Sequence, residues 1–79
     1  MKRKEYMDLI DNEFYNICDD IRGLHEMINV LDSVSKFIEF SITTTQKIYD
    51  DRDIDFTVFI EMNEYMDSKV KYVLSLVSR

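Results

Sequence analysis

Apolar residues recur along the first half of the chain at alternating steps of three and four: Met7, Ile10, Phe14, Ile17, Ile21, Leu24, Ile28 and Leu31. Such steps place side chains on one face of an α-helix, as the a and d positions of a heptad do. The same phase runs on through Ser35, Ile38 and Ile42, with Ser35 the one polar residue in it. Cys18, Met27, Val34 and Phe37 form a flanking row that widens the face beyond a strict coiled-coil seam. A face that wide suits a helix packed against more than one partner.

Ile42-Thr43-Thr44-Thr45 are all β-branched and lose χ1 freedom in a helix, so the helix is expected to weaken there. Tyr49-Asp50-Asp51-Arg52-Asp53 follows as the strongest turn signal, with Asp53 or Asp55 as the N-cap of the next helix. That helix is expected from about Ile54 to Val77, with Phe56, Phe59, Met66, Val70, Val73 and Val77 as its stripe. Asn63 interrupts the stripe, and Ile60, Met62 and Leu74 lie alongside. Lys69, Lys71 and Arg79 sit towards the C-terminus, where positive charge suits the helix dipole.

The pattern predicts an all-α chain, residues 1–79 forming a single helical domain, and leaves one ambiguity. Asn29 can act as a left-handed residue ending a helix, with Asp32 or Ser33 capping the next. A break at Asn29–Ser33 gives a small three-helix bundle with helices of roughly 24, 15 and 23 residues. Without it, a helix from Lys4 to about Lys47 folds back at Arg52 as a long unequal hairpin, and residues 4–25 overhang by about 33 Å. The stripe from Met7 to Leu24 then faces water unless a second copy covers it, which makes the hairpin a dimeric helical bundle. Ordinary helix lengths favour the three-helix bundle. Self-association to a homo-oligomer is expected in either arrangement.

Composition supports the helical reading. There is no proline and Gly23 is the only glycine, so the strongest helix breakers are nearly absent. Alanine is missing too, while Ile, Lys, Asn, Asp and Tyr are plentiful. That bias reads as a gene from an AT-rich genome of phage, viral or mobile-element type. A chain of 79 residues buries only about 60% of the surface its unfolded form exposes. Cys18 is the single cysteine, which excludes an internal disulfide. Cys18 and His25 fall short of the four ligands of a structural zinc. Regular helix packing and oligomerisation are left to supply stability. No apolar run approaches the roughly 18 residues of a membrane span. No apolar region follows the basic Met1-Lys2-Arg3-Lys4, so no secretory signal is expected either. A cytoplasmic location follows, in keeping with one unpaired cysteine in a reducing compartment.

The net charge of −6 is unevenly placed. Residues 1–49 hold nine acids and six bases, residues 50–67 seven acids against Arg52 alone, and residues 68–79 three bases and no acid. Asp50, Asp51, Asp53, Asp55, Glu61, Glu64 and Asp67 thus form a concentrated negative region. It serves as solvated surface with N-terminal dipole complementarity, or as a docking patch that speeds association with a basic partner. Tyr15, Phe40, Tyr65 and Tyr72 fall at the edge of the apolar stripes, and tyrosine is enriched in interface hot spots. Tyr65 and Tyr72 therefore join the acids as candidate partner-binding residues. Nucleic acid is disfavoured, because Lys2-Arg3-Lys4 is the only basic cluster and is expected to be a frayed, solvated end.

Little catalytic chemistry is on offer. Glu61, Glu64 and Asp67 share a helix at steps of three, a spacing that holds divalent metal when a facing helix adds acids such as Asp8 and Asp11. A single short chain lacks the four helices such a site needs, so these acids are read as exposed surface. His25 lies beside the apolar stripe, with Arg22 rather than an acid three residues earlier. It stands about 10 Å along the helix from Cys18, too far for a thiol–imidazole pair. Cys18 behaves as a small core hydrophobe. Nucleophile elbow, glycine-rich loop and P-loop are all missing. No enzyme activity, cofactor or metal is expected. The expected function is a small acidic protein–protein interaction module, a stoichiometric inhibitor or regulator of phage, immunity or antitoxin type that binds a larger protein with a basic surface. The alternative is a structural, self-assembling helical protein.

Overall fold

The computed structural model describes residues 2–78. Three helices, α1 (Lys2–Gly23), α2 (Met27–Tyr49) and α3 (Phe56–Val77), each pack against the other two. They are 22, 23 and 22 residues long. A helix of that size runs about 33 Å, in keeping with a molecule 42 Å long and 18 by 16 Å across.

The first turn falls at residues 24–26, earlier than Asn29–Ser33. Gly23, the poorest helix former in the chain, ends α1. Leu24 then donates its N–H back to Ile21 (3.2 Å), and the extended Glu26 offers its carbonyl to Asn29 and Val30. Asn29, Asp32 and Ser33 consequently lie inside α2 and end or cap nothing. Glu26 makes no side-chain cap bond; its backbone carbonyl alone opens α2. Because α1 stops at Gly23, the unequal hairpin does not form, and the bundle has three helices of nearly equal length.

Restarting the helix at Met27 moves the core row of α2 by one residue, about 100° of rotation. Val34, Phe37, Ser41, Thr44 and Ile48 are buried, where the uninterrupted phase selected Ser35, Ile38 and Ile42. Ile28, Leu31 and Ile42 turn outward, at 73%, 52% and 66% exposure. The β-branched run does not weaken α2, which continues to Tyr49 with Thr44 in its core. Packing around the threonine outweighs its lower helix propensity. Buried Ser41 satisfies its hydroxyl by donating to the Ile38 carbonyl (2.7 Å).

Asp55, and not Asp53, caps α3: its side chain accepts from the Val58 N–H at 2.9 Å. The buried row of α3 is Met62, Met66 and Val73, with Phe59, Val70 and Val77 half-buried. Met62 holds the core position, so Asn63 interrupts nothing, and Phe56 leaves the stripe at 74% exposure. The core has two centres. One gathers Phe14, Ile17, Cys18, Ile21, Val34, Phe37 and Val73; the other gathers Tyr6, Ile48 and Met62. Each large apolar side chain so buried contributes about 1.5–3 kcal/mol. Among the described residues, no helix is long and apolar enough to cross a membrane.

Candidate interaction surface

The start of α1 carries Lys2, Arg3, Lys4 and Tyr6, and from it two of the seven acids, Asp51 and Glu61, take partners. Tyr6, packed with Ile48 and Met62, donates its hydroxyl to Asp51 Oδ2 at 2.7 Å. The other Asp51 oxygen accepts the Asp53 N–H at 2.9 Å, and Lys2 Nζ lies 4.0 Å away. These contacts, led by the Tyr6 hydroxyl, hold the Asp51 carboxyl below its ordinary range. Burial and the Asp51 hydrogen bond together push the Tyr6 phenol up to about 12. Arg3 donates to Glu61, and Lys4 pairs with Asp8 at 3.3 Å. The basic cluster is therefore the opening turn of α1, its exposed side chains engaged in surface ion pairs.

The other candidate residues divide similarly. Asp50 caps α2 and accepts from Gln46 at 3.2 Å, Asp55 caps α3, and Asp67 pairs with Lys71 at 2.9 Å. Tyr65 donates to Asp11, a bond that, with burial, raises its phenol to about 12. Lys69 Nζ sits 4.7 Å above the Tyr65 ring and 4.6 Å above Phe14. Tyr72 stands edge-on to Phe14, ring centres 5.4 Å apart, and is 43% exposed. Among the described residues, Asp53 and Glu64 are the candidates whose carboxylates meet no hydrogen-bond or salt-bridge partner. The acids at 50–55 share one turn, while Glu61, Glu64 and Asp67 spread along α3.

Two aromatic residues that the pattern assigned to the turn and to the α3 stripe, and not to a binding surface, stand exposed beside that turn. Tyr49, the last residue of α2, is 68% exposed, and Phe56, the first of α3, is 74% exposed. Both lean on half-buried Phe59, with ring centres at 5.5 and 6.4 Å. Between them opens a pocket lined by Ile48, Tyr49, Ile54, Asp55, Phe56 and Phe59. Asp55 lines it, and Asp50 and Asp53 lie in the same connecting turn.

The carboxylates weighed as a metal site are not brought together. Asp8 and Asp11 pair with Lys4 and Tyr65, Glu61 with Arg3, and Asp67 with Lys71. Among the described residues, no group of three His, Cys, Asp or Glu converges on one point. His25 lies exposed in the connector at residues 24–26, off the helix on which the spacing had placed it. Cys18 is buried in the core, and burial raises its thiol pKa. Compared with known proteins, the chain matches no family model, no curated protein and no solved structure.

Proposed function

We propose that this chain is a protein–protein interaction module that works by occupying the surface of a larger partner, as a stoichiometric inhibitor or regulator does, without chemistry of its own. The observation that carries this reading is the pair Tyr49 and Phe56, exposed on an open pocket that Asp55 also lines, with Asp50 and Asp53 in the same connecting turn. Exposed aromatic rings are the residue type that anchors interfaces, since they bury much area at small cost in conformational entropy. The acids of that turn supply long-range attraction and orientation. The complementary surface presents an apolar side chain flanked by Lys or Arg. The buried, unpaired Cys18 fits a reducing compartment such as the cytoplasm.

Affinity capture from the source organism tests the reading, with the Tyr49→Ser/Phe56→Ser variant run in parallel. The expected result is a partner retained by the wild-type chain, lost from the variant and weakened as salt rises. Identical proteins retained by both chains would overturn the aromatic turn as the docking site.

A further inference from the structure

The walls of the pocket at the α2–α3 turn narrow what can enter it. Three aromatic rings, Tyr49, Phe56 and Phe59, line it together with Asp55, and Ile48 and Ile54 complete the wall. The rings touch in sequence, Phe59 between the other two, with centres 5.5 and 6.4 Å apart. The space they enclose is about 350 Å³, at the small end of ligand pockets, which start at ~300 Å³. We infer that this pocket is a cage for one organic cation, the guanidinium of an arginine side chain on the docking partner. The inference rests on the docking reading above and narrows it: of the partner's apolar and basic side chains, a basic one fills the pocket.

Two features select a cation. Aromatic faces carry negative potential and attract a positive group within about 6 Å of a ring centre. The molecule uses that attraction internally, where Lys69 Nζ stands 4.6 and 4.7 Å from the Phe14 and Tyr65 ring centres. Among the described residues, no lysine or arginine stands over Tyr49, Phe56 or Phe59, so these rings wait for a cation from outside. The second feature is Asp55. It is exposed and gives Oδ1 to the Val58 N–H, while Oδ2 meets no donor among the described residues. A purely apolar occupant would take water from that oxygen and replace none of its hydrogen bonds, which is costly.

The rest of the turn works in the same direction. Residues 50–55 hold four aspartates against Arg52 alone, and Arg52 is exposed and forms no part of the pocket wall. Anions are repelled there, although the pocket adjoins the N-terminus of α3, because Asp55 already caps that end. Arginine suits the walls better than lysine. Its planar head stacks on a ring, offers a fork of N–H donors to a carboxylate and sheds water more readily than an ammonium. Its methylene stem lies on the apolar wall. A quaternary ammonium has no N–H to offer Asp55.

Titration of the full chain with blocked arginine (N-acetyl-arginine N-methylamide) at low salt, followed by amide NMR shifts, tests this. Saturable shifts are expected at Tyr49, Ile54, Phe56 and Phe59. Blocked citrulline, the neutral analogue of the same shape, is expected to bind more weakly by at least about two- to fivefold, the measure of one exposed cation–ring contact. Asp55→Asn keeps a capping acceptor but loses the charge, and Phe56→Leu keeps apolar bulk but loses the ring. Each is expected to weaken arginine by a similar factor with helical circular dichroism intact. No saturable shift, citrulline binding as tightly as arginine, or an arginine affinity unchanged in either variant overturns the inference. So does blocked lysine or tetramethylammonium binding more tightly than arginine. Partner capture separates this inference from the docking reading. A partner lost from Tyr49→Ser/Phe56→Ser but held in full by Asp55→Asn keeps the docking site and removes the cation cage. Arginine binding in the pocket, with identical proteins captured by wild type and the double variant, does the reverse.

Discussion

The acidic turn and the outer row of α2 exchange the roles that composition suggests for them. Charged residues in a turn look like free surface, yet Asp51 takes the hydroxyl of buried Tyr6 and the Asp53 N–H, and Asp55 caps α3. Aliphatic residues at helical spacing look like core, yet Ile28, Leu31 and Ile42 face outward. A polar residue that satisfies a buried partner belongs to the fold. An apolar residue left without one is available for binding. Residue type alone does not sort the two, because a helix has room for more than one row and the bundle covers only one side of it.

The largest effect expected from this comparison separates the two rows of α2. Phe37→Ala, in the buried row, is expected to cost about 3–5 kcal/mol. Ile42→Ala, in the outer row, is expected to change stability by less than ~0.5 kcal/mol in dilute solution. Urea denaturation of both variants at low protein concentration reads the difference directly. Comparable losses would mean that the outer row is covered within the monomer.

Next in size is the bond joining α1 to the acidic turn. Tyr6→Phe removes the donor to Asp51 and is expected to cost about 1–2 kcal/mol. The pH dependence follows from the same bond. Tyr6 and Tyr65 are raised from 10.0 to about 12, so the folded state holds these protons more tightly than the unfolded one. The stability they supply is complete below pH 10.0 and is lost as pH climbs towards about 12. Asp51 acts in the opposite sense. Its pKa is lowered from 3.8, so its contribution is present above that value and disappears as pH falls through the lowered one. Denaturation midpoints measured across the alkaline range are expected to fall less steeply in Tyr6→Phe than in the wild type.

A smaller effect attaches to Asp55, whose side chain accepts the Val58 N–H in the first turn of α3. Asp55→Ala is expected to cost about 1 kcal/mol. Asp53→Ala leaves the backbone bond to Asp51 in place, and its midpoint is expected to stay near the wild-type value.

Helix content, the turn at residues 50–55 and the cap at Asp55 were legible because each depends on local signals: heptad spacing, clustered aspartates and a short acceptor before an apolar run. The first break was harder to read. The row from Met7 to Leu31 passes through Gly23 without losing its phase, and Asn29, Asp32 and Ser33 offer better cap chemistry than Glu26 does. The helix ends at Gly23 all the same, and on α2 the flanking row with Val34 and Phe37 proved to be the core row, while Ile28, Leu31 and Ile42 of the main stripe face outward. The fate of the acids was hidden too. Lys2, Arg3 and Tyr6 are far from Asp51 and Glu61 along the chain, and only the packing of α1 beside the turn makes them partners.

The exchange of roles is tested most directly by comparing Asp51→Ala with Phe56→Ser in one urea denaturation experiment. The account predicts a lower midpoint for Asp51→Ala, because the hydroxyl of buried Tyr6 loses its acceptor in the half-buried contact between α1 and the turn. For Phe56→Ser, which alters a ring that is 74% exposed, it predicts a midpoint unchanged from the wild type. A fold that tolerates the loss of Asp51 but is destabilised by the loss of Phe56 would contradict it.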